Sequence, residues 1–198
     1  MIQDTTSARE YWSERPDWGE PYSFGMEFVT NVTATKDGSE QRARRRNKPR
    51  YRITYSITGI KVAKLSVYRA RFMRLVSRPV SVPIWHVSET LNGILGDQIS
   101  LTTGNGLFVK QSPFKAGGLI YFTHPTLGDC WRRIVSTQGE TVINLKPGNA
   151  EFPNAPMPTY PAGTRAYPVI DGLIDTEASR FNSVDVFTTS LNFELYEN

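Results

Sequence analysis

Residues 51–58, Tyr-Arg-Ile-Thr-Tyr-Ser-Ile-Thr, alternate without a fault. Tyr51, Ile53, Tyr55 and Ile57 fall to one side, Arg52, Thr54, Ser56 and Thr58 to the other. A period of two places each set on one face of an extended strand, and no helix keeps that grouping. Residues 22–34 hold the same period less strictly, with Phe24, Met26 and Phe28 in phase and Val32 continuing it. The two runs predict a pair of antiparallel strands. Between them, from Lys36 to Arg52, eight Lys or Arg stand against two acids. That is a local charge of +6, against +4 for the whole chain, so the remainder carries −2. The basicity is therefore a local device. Lys36-Asp37-Gly38 reads as its opening turn, and the segment as a long loop joining the strands.

A second period appears directly afterwards. Leu65, Tyr68, Phe72, Leu75 and Val76 form an apolar stripe at helical spacing, predicting a helix over 61–78. Pro79 ends it, because the residue before proline is pushed out of the α region. Lys61, Lys64, Arg71, Arg74 and Arg78 lie largely off the stripe and read as a solvated face.

Beyond the helix the pattern returns to short strands: Val80–Trp85, Gln98–Leu101, Leu119–Phe122, Cys130–Ser136 and Thr141–Leu145. Turn signals at Gly104-Asn-Gly, Gly117-Gly, Leu127-Gly-Asp and Gln138-Gly-Glu separate them. Five strands at roughly ten-residue spacing predict a small barrel. A proline-rich loop over 146–161 follows, then strands at Arg165–Ile174 and Val186–Tyr196. The last strand is expected to close the sheet begun before the helix. The expected class is mainly β (α+β). Its parts are an extended arm over 1–21, a domain of 22–78 with 164–198, and an inserted small β-barrel over 79–163. In the arm, Trp12 and Trp18 each carry a large apolar area. They either fold back on their own domain or dock on a neighbouring subunit.

The remaining composition excludes several chemistries. A single cysteine, Cys130, permits no intrachain disulfide and fits a reducing compartment or a particle assembled in one. No run of 18 apolar residues is present, so no membrane span is expected, and the first residues lack the pattern of a signal peptide. One cysteine and two histidines make no structural zinc site. Asp171, Asp175 and Glu177 do not follow a calcium-loop spacing and read as a solvated turn. His124, Asp129 and Cys130 lie close in sequence, but a nucleophile pair needs hydrogen-bond reach and an orienting third group. Cys130 shares its strand phase with Arg132 and Ile134, which favours the core. His86 has no partner at ligand spacing. No catalytic, cofactor or metal site is expected. Trp85, Phe114, Tyr121, Phe122 and Trp131 supply the aromatics of the barrel; they either pack its core or, if exposed, bind sugar.

Several phrases, in order, resemble a structural module found at the tail tip of tailed bacteriophages. They are Trp18; Glu27-Phe-Val-Thr-Asn-Val; Asp37-Gly-Ser-Glu-Gln-Arg; Pro49-Arg-Tyr; Tyr55-Ser-Ile; Val82-Pro-Ile-Trp85; Phe114-Lys-Ala-Gly-Gly118; and Pro161-Ala-Gly-Thr-Arg-Ala-Tyr-Pro168. They span 18–196. Thr30-Asn31-Val32 departs from the module's Thr-Asp-Val, and Arg-Ala follows Gln41 where the module has an arginine pair. The resemblance implies a tail-tube-like β-sandwich or split barrel with one flanking helix. It also implies a non-enzymatic distal-tail or baseplate ring subunit. Its partners would be copies of itself, as a trimer or hexamer, and other tail-tube and tail-tip proteins. Its place would be the virion, assembled in the host cytoplasm.

Within that reading the basic segment grips a neighbour's acidic surface, since arginine's fork suits carboxylates. No aromatic interrupts Lys36 to Arg50, whereas nucleic-acid binders add stacking aromatics or a reading helix. The expected assembly residues are Trp12, Trp18, Glu40, Gln41, Arg42, Arg44, Arg45, Arg46 and Arg50. The alternatives are a basic-loop nucleic-acid-binding protein, with DNA of the tail lumen as one ligand, and a carbohydrate-binding tip module.

Overall fold

The computed structural model describes residues 10–27, 30–34, 40–44, 50–76, 78–95, 98–101, 116–139, 142–147, 159–175, 179–183 and 188–197. Strands dominate them, as expected, and the single helix among them is α1 (Val62–Leu75). None of their helices is long and apolar enough to cross a membrane. Two compact units divide the chain. One holds 1–8, 14–80 and 172–198; the other holds 9–13 and 81–171. The arm expected over 1–21 is thus split, and Arg165–Ile174 contributes residues to both units.

The second unit contains β1 (Glu10–Tyr11) and most of β6 (Val80–Pro83). It continues with β7 (Glu89–Leu95), β8 (Gln98–Leu101), β9 (Leu119–His124), β10 (Gly128–Gln138) and β11 (Val142–Leu145). The first seven residues of β12 (Arg165–Ile174) complete it. Its pairings run β9–β10–β11–β8–β7–β12, and β12 pairs back onto β9, all antiparallel. The cycle closes a six-stranded barrel, which removes the open edges of its sheet. Arg165 is the closing position, registered with both Thr90 and Thr123. Leu91, Ile99, Ile120, Phe122, Cys130, Ile134, Ile143, Leu145, Tyr160 and Ala166 form its buried core. Along β9 and β10 these alternate with Tyr121 and Trp131, which build a second apolar layer. Their rings lie 4.6 Å apart, with Tyr11 5.1 Å from Trp131 and Trp85 5.6 Å from Tyr121. β6 pairs β12 and β1, and the Trp12 N–H donates to Ser81 O at 3.0 Å.

Strand β7 is not among the expected strands; it contains Asn92-Gly93, a dipeptide with the chemistry of a turn. The structure takes the dipeptide up as a register shift between Leu91 and Gly93, so β7 passes through it.

The first unit is a sheet of β2 (Ser23–Glu27), β5 (Arg50–Lys61) and β14 (Thr188–Glu197). β13 (Arg180–Ser183) and Gly172–Ile174 lie along β14. β2 antiparallel to β5, and β14 returning to β5, are the pairings the alternation predicts. Ile53, Tyr55 and Ile57 are buried, but so is Ile60, which strict alternation would turn outward. A bulge explains it. Ile57 and Ile60 face Leu191 and Thr189, so two residues oppose one, and Gly59 takes φ +70°, a left-handed value that other residues reach only with strain. α1 follows β5 without a loop and ends at Leu75, short of the expected 78. The Phe72 ring packs edge-on to Phe181 at 5.5 Å.

One expectation is corrected. The run over 22–34 carries β2 and β3 (Thr30–Ala34), with 28–29 outside the described residues. The basic segment is not simply a loop, since β4 (Glu40–Arg44) pairs with β3 in a separate two-stranded sheet. Phe28, Gly104–Gly106, most of the proline-rich loop and Val186–Phe187 lie outside the described residues.

Candidate functional site

The arm residues after Ser13 are strapped to the first unit by polar contacts. Glu14 receives hydrogen bonds from the Tyr68 hydroxyl at 3.2 Å and Arg71 Nη1 at 3.1 Å, while its carbonyl accepts from the Tyr55 hydroxyl at 3.3 Å. Burial, then the nearby Glu14 carboxylate, raises the Tyr68 pKa. Three residues on, the Asp17 N–H donates to Ser56 O at 2.8 Å, continuing along β5 past the last β2 pair, Ser23 with Thr54. The Thr58 hydroxyl donates to Asp17 Oδ2, and the Gly19 N–H donates to Oδ1 at 2.9 Å. These bonds hold the Asp17 carboxyl below its ordinary pKa, because they favour the charged form.

The strap ends in an aromatic ridge. Trp18 is 61% exposed, and its ring lies 5.7 Å from Tyr22, which stacks on Tyr55 at 6.0 Å. Phe24 stacks on Tyr51 at 5.3 Å, and Met26, the next residue in that phase, is 57% exposed. The phase predicted from alternation thus runs from buried Tyr55 to open Met26. β2 is one end of the sheet order among the described residues; β13, paired to β14, and β1, paired to β6, are outer strands as well. An outer strand carries N–H and C=O groups available to a further strand.

The expected assembly residues are therefore placed differently. Trp18 is on the surface. Trp12 is corrected: it is fully buried in its own chain, so of the two alternatives it takes the fold-back. Arg50 is half-buried at the start of β5, opposite Glu27. Glu40, Gln41, Arg42 and Arg44 form the backbone of β4, in register with Ala34, Thr33, Val32 and Thr30. Arg45 and Arg46 lie outside the described residues. Met26 was legible as a strand residue, but nothing in its phase marked it as exposed.

The other candidates are accounted for by packing. Trp85 and Trp131 are 4% and 1% exposed, and Tyr121 and Phe122 are fully buried, so none offers a sugar a stacking face. Phe114 lies outside the described residues. His124 Nδ1 accepts from the N–H groups of Thr126 and Leu127, each at 3.3 Å, and so ties the turn between β9 and β10. Arg132 is buried in phase with Cys130 and Ile134, and its Nε and Nη2 donate to Lys146 O at 3.2 and 2.9 Å. Asp171 accepts from the Ser81 hydroxyl at 2.6 Å. Among the described residues no three His, Cys, Asp or Glu gather as metal ligands.

Cys130 sits opposite Phe122 in the barrel core, and burial pushes its thiol up to about 11. At neutral pH it is a protonated thiol, not a nucleophile. An alkylating reagent at pH 8 is expected to leave it unmodified in the folded protein and to label it fully in denaturant. The same shift fixes a pH dependence. The folded thiol holds its proton more tightly than the unfolded one, so stability is intact below the unfolded pKa. It falls as pH rises from about 9 to about 11, by roughly 2–3 kcal/mol. Urea midpoints of the wild type and Cys130→Ala at pH 8 and 10.5 check this: only the wild type should lose stability through the thiol.

No protein-family model matches the sequence, and no curated protein matches it at a significant level.

Proposed function

We propose that this chain is a non-enzymatic structural subunit of a bacteriophage tail tip, assembling into a ring that joins the tail tube to tip proteins. The observation that carries the reading is the open edge of the first unit. β2 ends the sheet, with exposed Trp18 and Met26 on its ridge. Of the outer strands among the described residues, β2 is the one beside an exposed aromatic ridge, so we assign strand-to-strand assembly to it. The sequence phrases resembling tail-tip modules supply the ring as the kind of assembly. In a closed ring each contact repeats, so a modest interface is multiplied by symmetry.

Sedimentation velocity over a wide concentration range tests this. A species of defined trimeric or hexameric mass is expected, converting to monomer in the pair Trp18→Ala and Met26→Lys. A monomer at every concentration would count against self-assembly. Duplex-DNA binding that weakens by about 10³ or more between 50 and 200 mM salt would instead favour the nucleic-acid reading.

A further inference from the structure

The geometry points to the outer face of α1 as a docking surface for an acidic amphipathic helix of another protein. The inference is independent of ring formation. Ala63, Val67, Ala70 and Met73 recur along successive turns of the helix, and all four are exposed, Val67 at 66% and Met73 at 69%. Phe72 and Leu75 occupy the opposite, buried side. The apolar content of α1 is thus divided between two faces, and only one is consumed by its own sheet. A helix that served only to cover that sheet would carry polar residues on the outer side.

The chemistry around this stripe selects the occupant. From Lys61 to Arg78 there are six Lys or Arg and no acid. Lys64 and Arg69 are exposed on the stripe's two flanks, Arg69 also lying over the Phe181 ring at 5.7 Å, and exposed Arg74 falls within the stripe between Val67 and Ala70. The helix already takes one carboxylate of its own chain, since Glu14 is held at Arg71 and Tyr68 on its flank. An acid supplied beside the outer stripe would meet the same kind of partner. Ala63 and Ala70 keep the stripe low, which lets a second helix approach closely, with larger side chains seated between Val67 and Met73. A nucleic acid would find the cations but has no use for the apolar stripe. A membrane-surface helix would carry Trp, Phe or Leu there, and this face has none.

A fluorescence-anisotropy titration of the full chain tests it. The probe is a labelled synthetic 18-residue peptide with Leu and Ala on one helical face and Glu along both flanks. The control has the same composition, scrambled so that no apolar face forms. The ordered peptide is expected to bind at least about tenfold more tightly than the scrambled one. Val67→Asp or Met73→Asp should each weaken it about tenfold, since one buried aliphatic side chain accounts for that factor. Arg69→Glu should weaken it and reduce its salt dependence. Thermal melts confirm that the variants fold, with Val67→Ser as a milder form. Equal affinity for both peptides, no binding, or indifference to Val67 and Met73 would overturn the proposal. So would tighter binding of duplex DNA or of phosphatidylserine vesicles, lost in the same variants.

Discussion

Trp12→Ala is expected to lower the unfolding free energy of the barrel unit by about 3–5 kcal/mol, the cost of emptying a buried tryptophan site. Against a usual total of about 5–15 kcal/mol, that is enough to unfold a sizeable fraction at 37 °C. The side chain is 0% exposed, and its backbone N–H anchors the short β1–β6 pairing through Ser81 O. A two-residue strand has little hold of its own, so the ring acts as its plug. Urea unfolding read by circular dichroism measures the loss, and Trp12→Phe should recover most of it. Trp18→Ala is the contrast. At 61% exposure its effect on stability should stay within about 0.5 kcal/mol, and its effect should appear in the oligomer mass. Equal losses from the two substitutions would show that Trp12 is not seated as described.

Trp131→Ala is expected to be of similar size, about 3–5 kcal/mol, for a different reason. Trp131 lies in the first half of β10, between Tyr121 at 4.6 Å and Tyr11 at 5.1 Å. Its removal leaves a void in the second apolar layer and deprives the arm of one ring it packs on. A double-mutant cycle of Trp131→Ala with Tyr11→Ala should show a coupling of about 0.5–1.5 kcal/mol, the usual range for an aromatic pair. Were this ring a sugar platform, the substitution would cost affinity and little stability. Independent, additive effects of the two substitutions would mean that the arm does not pack on the barrel.

Both predictions turn on residues whose type was legible and whose position was not. The alternation of 51–58 identified β5 and its buried face. The stripe from Leu65 to Leu75, stopped by Pro79, identified α1. Each rests on a short repeat that the backbone imposes locally. The bulge at Gly59 was not legible, because a single glycine in a strand does not announce which neighbour it faces. β7 was not among the expected strands; its Asn92-Gly93 has the chemistry of a turn, and only the register with β8 shows the chain passing through. Met26 kept the phase of half-buried Phe24 and buried Tyr55 yet ends up in solvent, since phase assigns a face and not the extent of what covers it.

The same distinction separates what the chain's order of residues determined from what the folded chain decided. Local period and turn chemistry determined a mainly β protein with one helix after β5, a basic segment between two paired strands, and a cysteine placed in phase with the core. The tertiary structure decided that Arg165 meets both Thr90 and Thr123 and so closes the barrel. It also decided that Trp12 is buried while Trp18 is exposed, and that α1 keeps a second apolar face in solvent. The reason is physical. Periodicity reports which side chains share a side, a property of a few neighbouring residues. Which surface that side meets depends on segments tens of residues away, whose pairing the backbone's local geometry does not encode.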